Sequence, residues 1–280
     1  MRVTNRWMVG FAVGVLAVTF VSAAFAQRPF RGFSWSRYPP RFRQAEHRND
    51  GFSFCRLMYT SSRRRGSGGR WSTDYPFADR NFMIRFSELT SAHVNLSDNG
   101  EPNHWVVEIS DDDLFDCPFV LASAVGSMVL QSEEVPRLRD YLLKGGFLWV
   151  DDFWGTWAWE QWAGEISRVL SPAEYPIVDL SLEHELFQTL FNVWEIPQIS
   201  NIGFWRRTGG RSTSERGADS AVPHFRTISD RDGRIMVVMT HNTDIQDAWE
   251  REGEDPGFFE RFSPDGYALG INVVLHAMTH

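Results

Sequence analysis

Cysteine is scarce in this chain, whose 280 residues hold only Cys55 and Cys117. Both fall in segments that read as core strands, so free buried thiols are the expected state. Neighbouring strands can nevertheless approach the separation a disulfide needs, and an exported protein could pair them. Neither cysteine stands at a strand-to-helix elbow and no Gly-x-Ser-x-Gly occurs, which removes the usual cysteine and serine nucleophiles. Asp111-Asp112-Asp113 lacks the spaced ligands and following Glu of an EF-hand and reads as a solvated turn. There is no internal repeat and no sign of a second core, so one domain is expected. No recognition motif accompanies the arginines, which argues against a nucleic-acid partner.

What the chain does have is aromatic side chains and unevenly spread charge. Of its residues 42% are hydrophobic and 14% aromatic, with 12 Trp and 22 Phe. That is more than a core needs and suggests an aromatic-lined cleft or interface as well. The formal net charge is −8, yet residues 28–70 are strongly basic, leaving an acidic body. The arm reads as a solvated linker, although its charge would also suit lipid headgroups or an anionic polymer. Arg2 and Arg6 precede an apolar run over 7–21, and Ala24-Phe25-Ala26 supplies a small-x-small cleavage site. Residues 1–26 therefore read as a signal peptide and the protein as periplasmic or secreted. The length of the run keeps a single uncleaved membrane anchor as the alternative. Residues 27–50, rich in Arg and Pro, read as a linker, and 51–280 as the domain.

Apolar runs over 52–59, 93–96, 105–109, 117–122, 147–150, 175–180, 225–229 and 234–240 read as strands. Helical patterns follow over 76–91, from Ser132 as cap to Lys144, over 156–170 and over 264–280, with a short helical segment at 183–191. Residues 205–223 read as a long polar loop. Strands alternating with helices imply an α/β fold, a mostly parallel sheet with helices on both faces.

The chain is organised around residues 145–162. A buried strand behind Gly145-Gly146 runs directly into Asp151, Asp152, Phe153 and Trp154 before a helix begins. Ligands of open α/β sheets collect beyond the carboxyl ends of the strands. Asp151, Asp152, His184, His241, Asn242 and Asp244 are all expected on that rim. Asp151 or Asp152 would act as general base and His184 or His241 as acid. Asp74 (a helix cap or a site residue), Trp154, Asn242, Asp244 and Arg64, in a Ser/Arg/Gly loop suited to an anion, complete the expected ligand-binding set. Trp154, Trp157, Trp159 and Trp162 could stack on sugar faces. Asp and His ligands on the rim could alternatively hold a divalent metal that activates water, but the rim shows no short-spaced motif such as His-x-x-x-His, so no metal and no cofactor is assigned. A small-molecule or carbohydrate ligand is the first reading. A non-catalytic module docking onto a cell-envelope protein is the second, with membrane contact only through an uncleaved leader.

Thr73-Asp74-Tyr75-Pro76, Leu114-Phe115, Gly145-Gly146-Phe147 through Gly155, Gly233-Arg234, His241-Asn242-Thr243-Asp244 and Thr279-His280 occur together. This combination, over roughly 51–280, resembles a bacterial family catalogued as domain of unknown function 4159. The resemblance implies a flavodoxin-like three-layer sandwich, related to class I glutamine amidotransferases and trehalose-utilisation proteins. In the latter a Gly-Gly strand, a His segment and a late Gly-Arg strand line one pocket, and Gly145-Gly146-Phe147, His184 and Gly233-Arg234 to His241 are similar in order. Asp151-Asp152-Phe153-Trp154 stands where the amidotransferase cysteine would be, so glutamine hydrolysis is not implied.

Overall fold

The computed structural model describes residues 38–43, 51–62 and 70–280. The leader at 1–26, most of the 27–50 arm and Arg64 with its loop lie outside the described residues. Residues 40–280 form one compact unit.

Seven strands form a single sheet: β1 (Phe54–Met58), β2 (His104–Glu108), β3 (Phe119–Ser123), β4 (Phe147–Phe153), β5 (Val178–Asp179), β6 (His224–Ser229) and β7 (Ile235–His241). Their order is β2-β1-β3-β4-β7-β6-β5. The five strands from β2 to β7 are parallel, while β6 runs antiparallel to β7 and β5 antiparallel to β6. β1, β3 and β7 are buried along their whole length, as apolar parallel strands covered on both faces must be.

The helices are α1 (Phe77–Leu89), α2 (Glu134–Leu143), α3 (Gly155–Val169), α4 (Ile202–Thr208), α5 (Asp247–Glu250) and α6 (Pro256–Thr279). Leu138 and Leu142 of α2 and Trp162 and Ile166 of α3 pack in one core with Leu148 and Val150. Phe82 and Phe86 of α1, Trp249 of α5 and Ile271 and Val274 of α6 pack in the other with Phe119 and Trp149. This is the expected α/β arrangement, consistent with a flavodoxin-like three-layer fold. Gly126 lets its turn come against α3 so closely that a Cβ there would collide with Ala158.

Several local expectations need correction. Cys55 and Cys117 are not free thiols but a disulfide, with Cα atoms 6.1 Å apart. β1 and β3 are sheet neighbours, and Cys117 lies two residues before β3, within the reach such a bond requires. The 93–96 strand is reduced to isolated bridges at Val94 and Leu96. The 205–223 loop begins inside α4, which an Asn201 cap starts and Gly209 in left-handed conformation ends. α6 starts at Pro256, capped by Asp255, and carries Pro264 in its interior, because a proline removes only one helical bond and packing outweighs the loss. Ser132 is not the cap of α2: the Glu134 carboxylate accepts from Gln131 N at 2.6 Å instead. Part of the arm joins the sheet, since Phe42 bridges Val106 of the edge strand β2 and the Arg41 guanidinium lies 4.6 Å from the Trp105 ring. Most of the described tryptophans serve the core, with Trp105, Trp149, Trp162 and Trp249 fully buried. Among the described residues no helix is long and apolar enough to cross a membrane.

Candidate functional site

β4 and β7 end side by side, with Phe153 opposite His241. The register slips between Val150 and Phe153, and in that bulge Asp152 adopts φ 56. Bulges of this kind re-aim a side chain, and here the two aspartates receive different fates. Asp151 is fully buried and saturated. It accepts from Thr240 Oγ1 at 2.5 Å, Gln246 N at 3.1 Å and Gln246 Nε2 at 3.2 Å. Burial pushes its pKa up to about 6, against the pull of those three bonds. A carboxylate with its lone pairs so engaged ties β4 to β7 and to the turn before α5. It has no free oxygen for chemistry, so the structure does not support Asp151 as the base.

Asp152 is half-buried. Its Oδ1 accepts from Trp154 Nε1 at 3.0 Å, and its Oδ2 has no hydrogen-bond partner among the described residues. Asp74 reaches the same place from the loop before α1. Asp74 is not a side-chain cap, for its backbone carbonyl takes the Ala78 N–H while its Oδ2 is buried with no hydrogen-bond partner among the described residues. Asp244 follows β7, with Oδ1 accepting from Asp247 N at 3.0 Å. One carboxylate oxygen from each of Asp74, Asp152 and Asp244 lies within 4.8 Å of the others, and a second set joins Asp74 with Asp247 and Glu250. Asp74, Asp152 and Asp244 are all held well above the ordinary carboxylate range, first by burial and then by neighbouring charge, which is that of Asp152 for Asp74 and Asp244 and that of Asp151, Glu215 and Asp247 for Asp152.

The surroundings hold these acids in place. Arg56 is fully buried on β1 and its guanidinium grips Asp79 through Nε at 2.9 Å and through Nη2. It also donates to Thr73 O at 3.1 Å and Gln246 Oε1 at 2.6 Å. Burial opposes its charge, but Asp79 keeps its pKa above the usual value. Arg56 thus joins the Asp74 loop, α1 and, through Gln246, Asp151. Asn242, at φ 63, accepts from Gly155 N at 2.8 Å and donates to Val222 O at 2.8 Å. It therefore positions the start of α3 and is not an open ligand-binding group. Asp74, Asp152 and Asn242, three of the four non-glycine residues with positive φ among the described residues, meet at this rim, and such backbone concentrates at functional sites.

His241 stays at the rim but its ring is fully used. Nε2 lies 3.2 Å from Gly155 O and Nδ1 lies 3.3 Å from Arg226 Nη1, so a neutral Nε2–H ring satisfies both. His224 stacks on it, and Phe153 and Trp159 lie tilted against it. Burial lowers its pKa to about 4, with Arg226 and His224 adding to the fall while the Gly155 bond and Asp219 oppose it. A neutral ring with both nitrogens engaged is unsuited to the acid role expected of it. Because the unfolded value is near 6.5, the stability this group confers is complete above that pH and lost as pH falls towards 4. Wild type should lose on the order of 3 kcal/mol more than His241→Gln between pH 7 and pH 4, measured by urea unfolding at each pH. Parallel curves for the two proteins would contradict the assignment.

His184 does not join the acids. Its Nδ1 caps a short turn by accepting from Leu186 N at 3.2 Å, and its ring meets His276, about 30 Å along α6 from Pro256 at ~1.5 Å per residue. Glu185, His276 and His280 form a separate ligand-like group there, whose His-x-x-x-His spacing is legible in the sequence but stands away from the rim. Asp247 and Glu250 were missed as well, although their i,i+3 spacing puts them on one helix face. Trp154 is buried and Trp162 fully so. Arg226 covers Trp159 at 4.1 Å, and Trp157 is left 40% exposed as the one open ring of that series.

A family model described as "Domain of unknown function (DUF4159)" matches residues 53–278. No curated protein is similar enough in sequence to match.

Proposed function

The chain belongs to the DUF4159 family, whose description names no activity, and we propose that it binds and hydrolyses a small polar molecule at the carboxyl rim of its sheet. The observation that carries this reading is the meeting of one carboxylate oxygen from each of Asp74, Asp152 and Asp244, where Asp152 accepts a single hydrogen bond among the described residues while the adjacent Asp151 is saturated. Asp152 is the base that takes a proton from water, and Asp74 and Asp244 face the reacting group. A carbohydrate ligand is favoured by the open Trp157 ring. The likeness to amidotransferase-type and trehalose-utilisation folds belongs to this reading, supported by the position of Asp152 at φ 56 between the central strand and α3. Export is supported by the Cys55–Cys117 disulfide, which suits an oxidising compartment.

A panel of nitrophenyl glycoside, ester and phosphate substrates tests the proposal. Asp152→Asn should lower turnover by about 100-fold or more, with the fold retained by circular dichroism. Undiminished turnover in that variant, or no turnover of any member of the panel by wild type, would remove the hydrolytic reading.

A further inference from the structure

We propose that Asp74, Asp152 and Asp244 bind a hard divalent cation of the Mg2+, Ca2+ or Mn2+ type. The inference rests on the reading of this rim as a ligand site, and it names what the site holds. Three carboxylate oxygens within 4.8 Å of one another leave a centre within about 2.8 Å of each, close to the ~2.3–2.6 Å of Ca2+–oxygen bonds. Oxygen-only ligands select hard cations over zinc or copper.

The second observation is the Oδ2 of Asp74. Among the described residues it is buried without a hydrogen-bond donor, in a residue only 9% exposed, and it belongs to a carboxylate grouped with Asp152 and Asp244. A buried carboxylate oxygen lacking a partner is costly, and a cation would satisfy it. No side chain of the protein does so among the described residues. Arg56 is committed to Asp79, Gln246 and the Thr73 carbonyl, and Arg251 to Glu250, Glu254 and Asp247. Asp74 also takes part in the second set with Asp247 and Glu250, so those two acids stand behind the first ligands and deepen the negative field. A bound cation would offset this repulsion and hold water beside Asp152.

The test uses the full chain, stripped with EDTA and titrated at neutral pH with MnCl2, CaCl2 and MgCl2 in turn, followed by calorimetry and thermal unfolding. Saturable binding below ~1 mM, the weak end for exported calcium modules, with a rise in Tm is the expected result for at least one cation. Asp74→Asn and Asp244→Asn should each weaken binding at least about tenfold, while His280→Ala at the separate histidine group should leave it unchanged. Should an Asn variant fail to fold, the wild-type titration still decides. No saturable binding of any of the three ions, or binding lost only in His280→Ala, would overturn the proposal. Asp152-dependent turnover that persists in EDTA would likewise remove the cation while sparing the hydrolytic reading. Cation binding without turnover of any substrate would do the reverse.

Discussion

Asp79→Asn is expected to lower the unfolding free energy by about 3–5 kcal/mol, the range for removing one partner of a buried ion pair. The reason lies in Arg56, whose side chain is wholly inaccessible and whose charge is balanced at direct contact, among the described residues, by Asp79 alone. Without that carboxylate the guanidinium keeps only neutral acceptors, the Thr73 and Trp71 carbonyls and Gln246 Oε1. Its burial cost then stands unopposed. Replacing both residues, as Arg56→Met with Asp79→Leu, should recover much of the loss, because an apolar pair of similar volume avoids the desolvation altogether. The double-mutant cycle, followed by urea unfolding, measures the coupling. A single-variant loss below about 1 kcal/mol would mean that the pair is solvated. Since Arg56 also bonds the Asp74 loop and Gln246, Asp79→Asn should also weaken whatever binds at the rim.

Reduction of the Cys55–Cys117 bond should cost nearly as much. The bond closes a separation of 62 residues, for which the loss of unfolded-chain entropy amounts to about 4 kcal/mol. In a domain of this size that corresponds to roughly 10 °C in Tm. Unfolding of wild type with and without reductant, beside a Cys55→Ala/Cys117→Ala variant, checks it. The reduced wild type and the double variant should coincide, both well below the oxidised protein. An oxidised protein indistinguishable from either would show that the bond does not form in solution.

The elements that sequence revealed are those whose burial is complete. The apolar run at 147–150 read as a central strand because both of its faces are covered, and β4 indeed lies inside the sheet between β3 and β7. The signal failed where tertiary contacts overrode local pattern. Pro264 resembled a helix start, yet the packing of Phe258 and Phe262 carries α6 eight residues further back, to Pro256.

The site was half legible for a related reason. Adjacent residues on a strand point to opposite faces, so the Asp151-Asp152 pair never shared a task. Only the bulge, invisible in sequence, decided that Asp152 would be the open one. Asp74 reads in the sequence as a cap or a site residue, but its importance comes from meeting Asp152 and Asp244 across a sheet. Spacing along the chain cannot report such a meeting. His184 and His241 looked like acids because unpaired histidines near strand ends often are. One is a turn cap near the far end of α6, and the other is held neutral between Gly155 and Arg226.

On the proposed reading, Asp74, Asp152 and Asp244 converge to hold a ligand and not merely to brace the loops. Anomalous diffraction from crystals grown with MnCl2 tests it most directly. The expected map has one peak within coordination distance of all three carboxylates, absent from Asp74→Asn crystals. A map with no peak there, with the three side chains turned apart or bonded to protein donors, would contradict it.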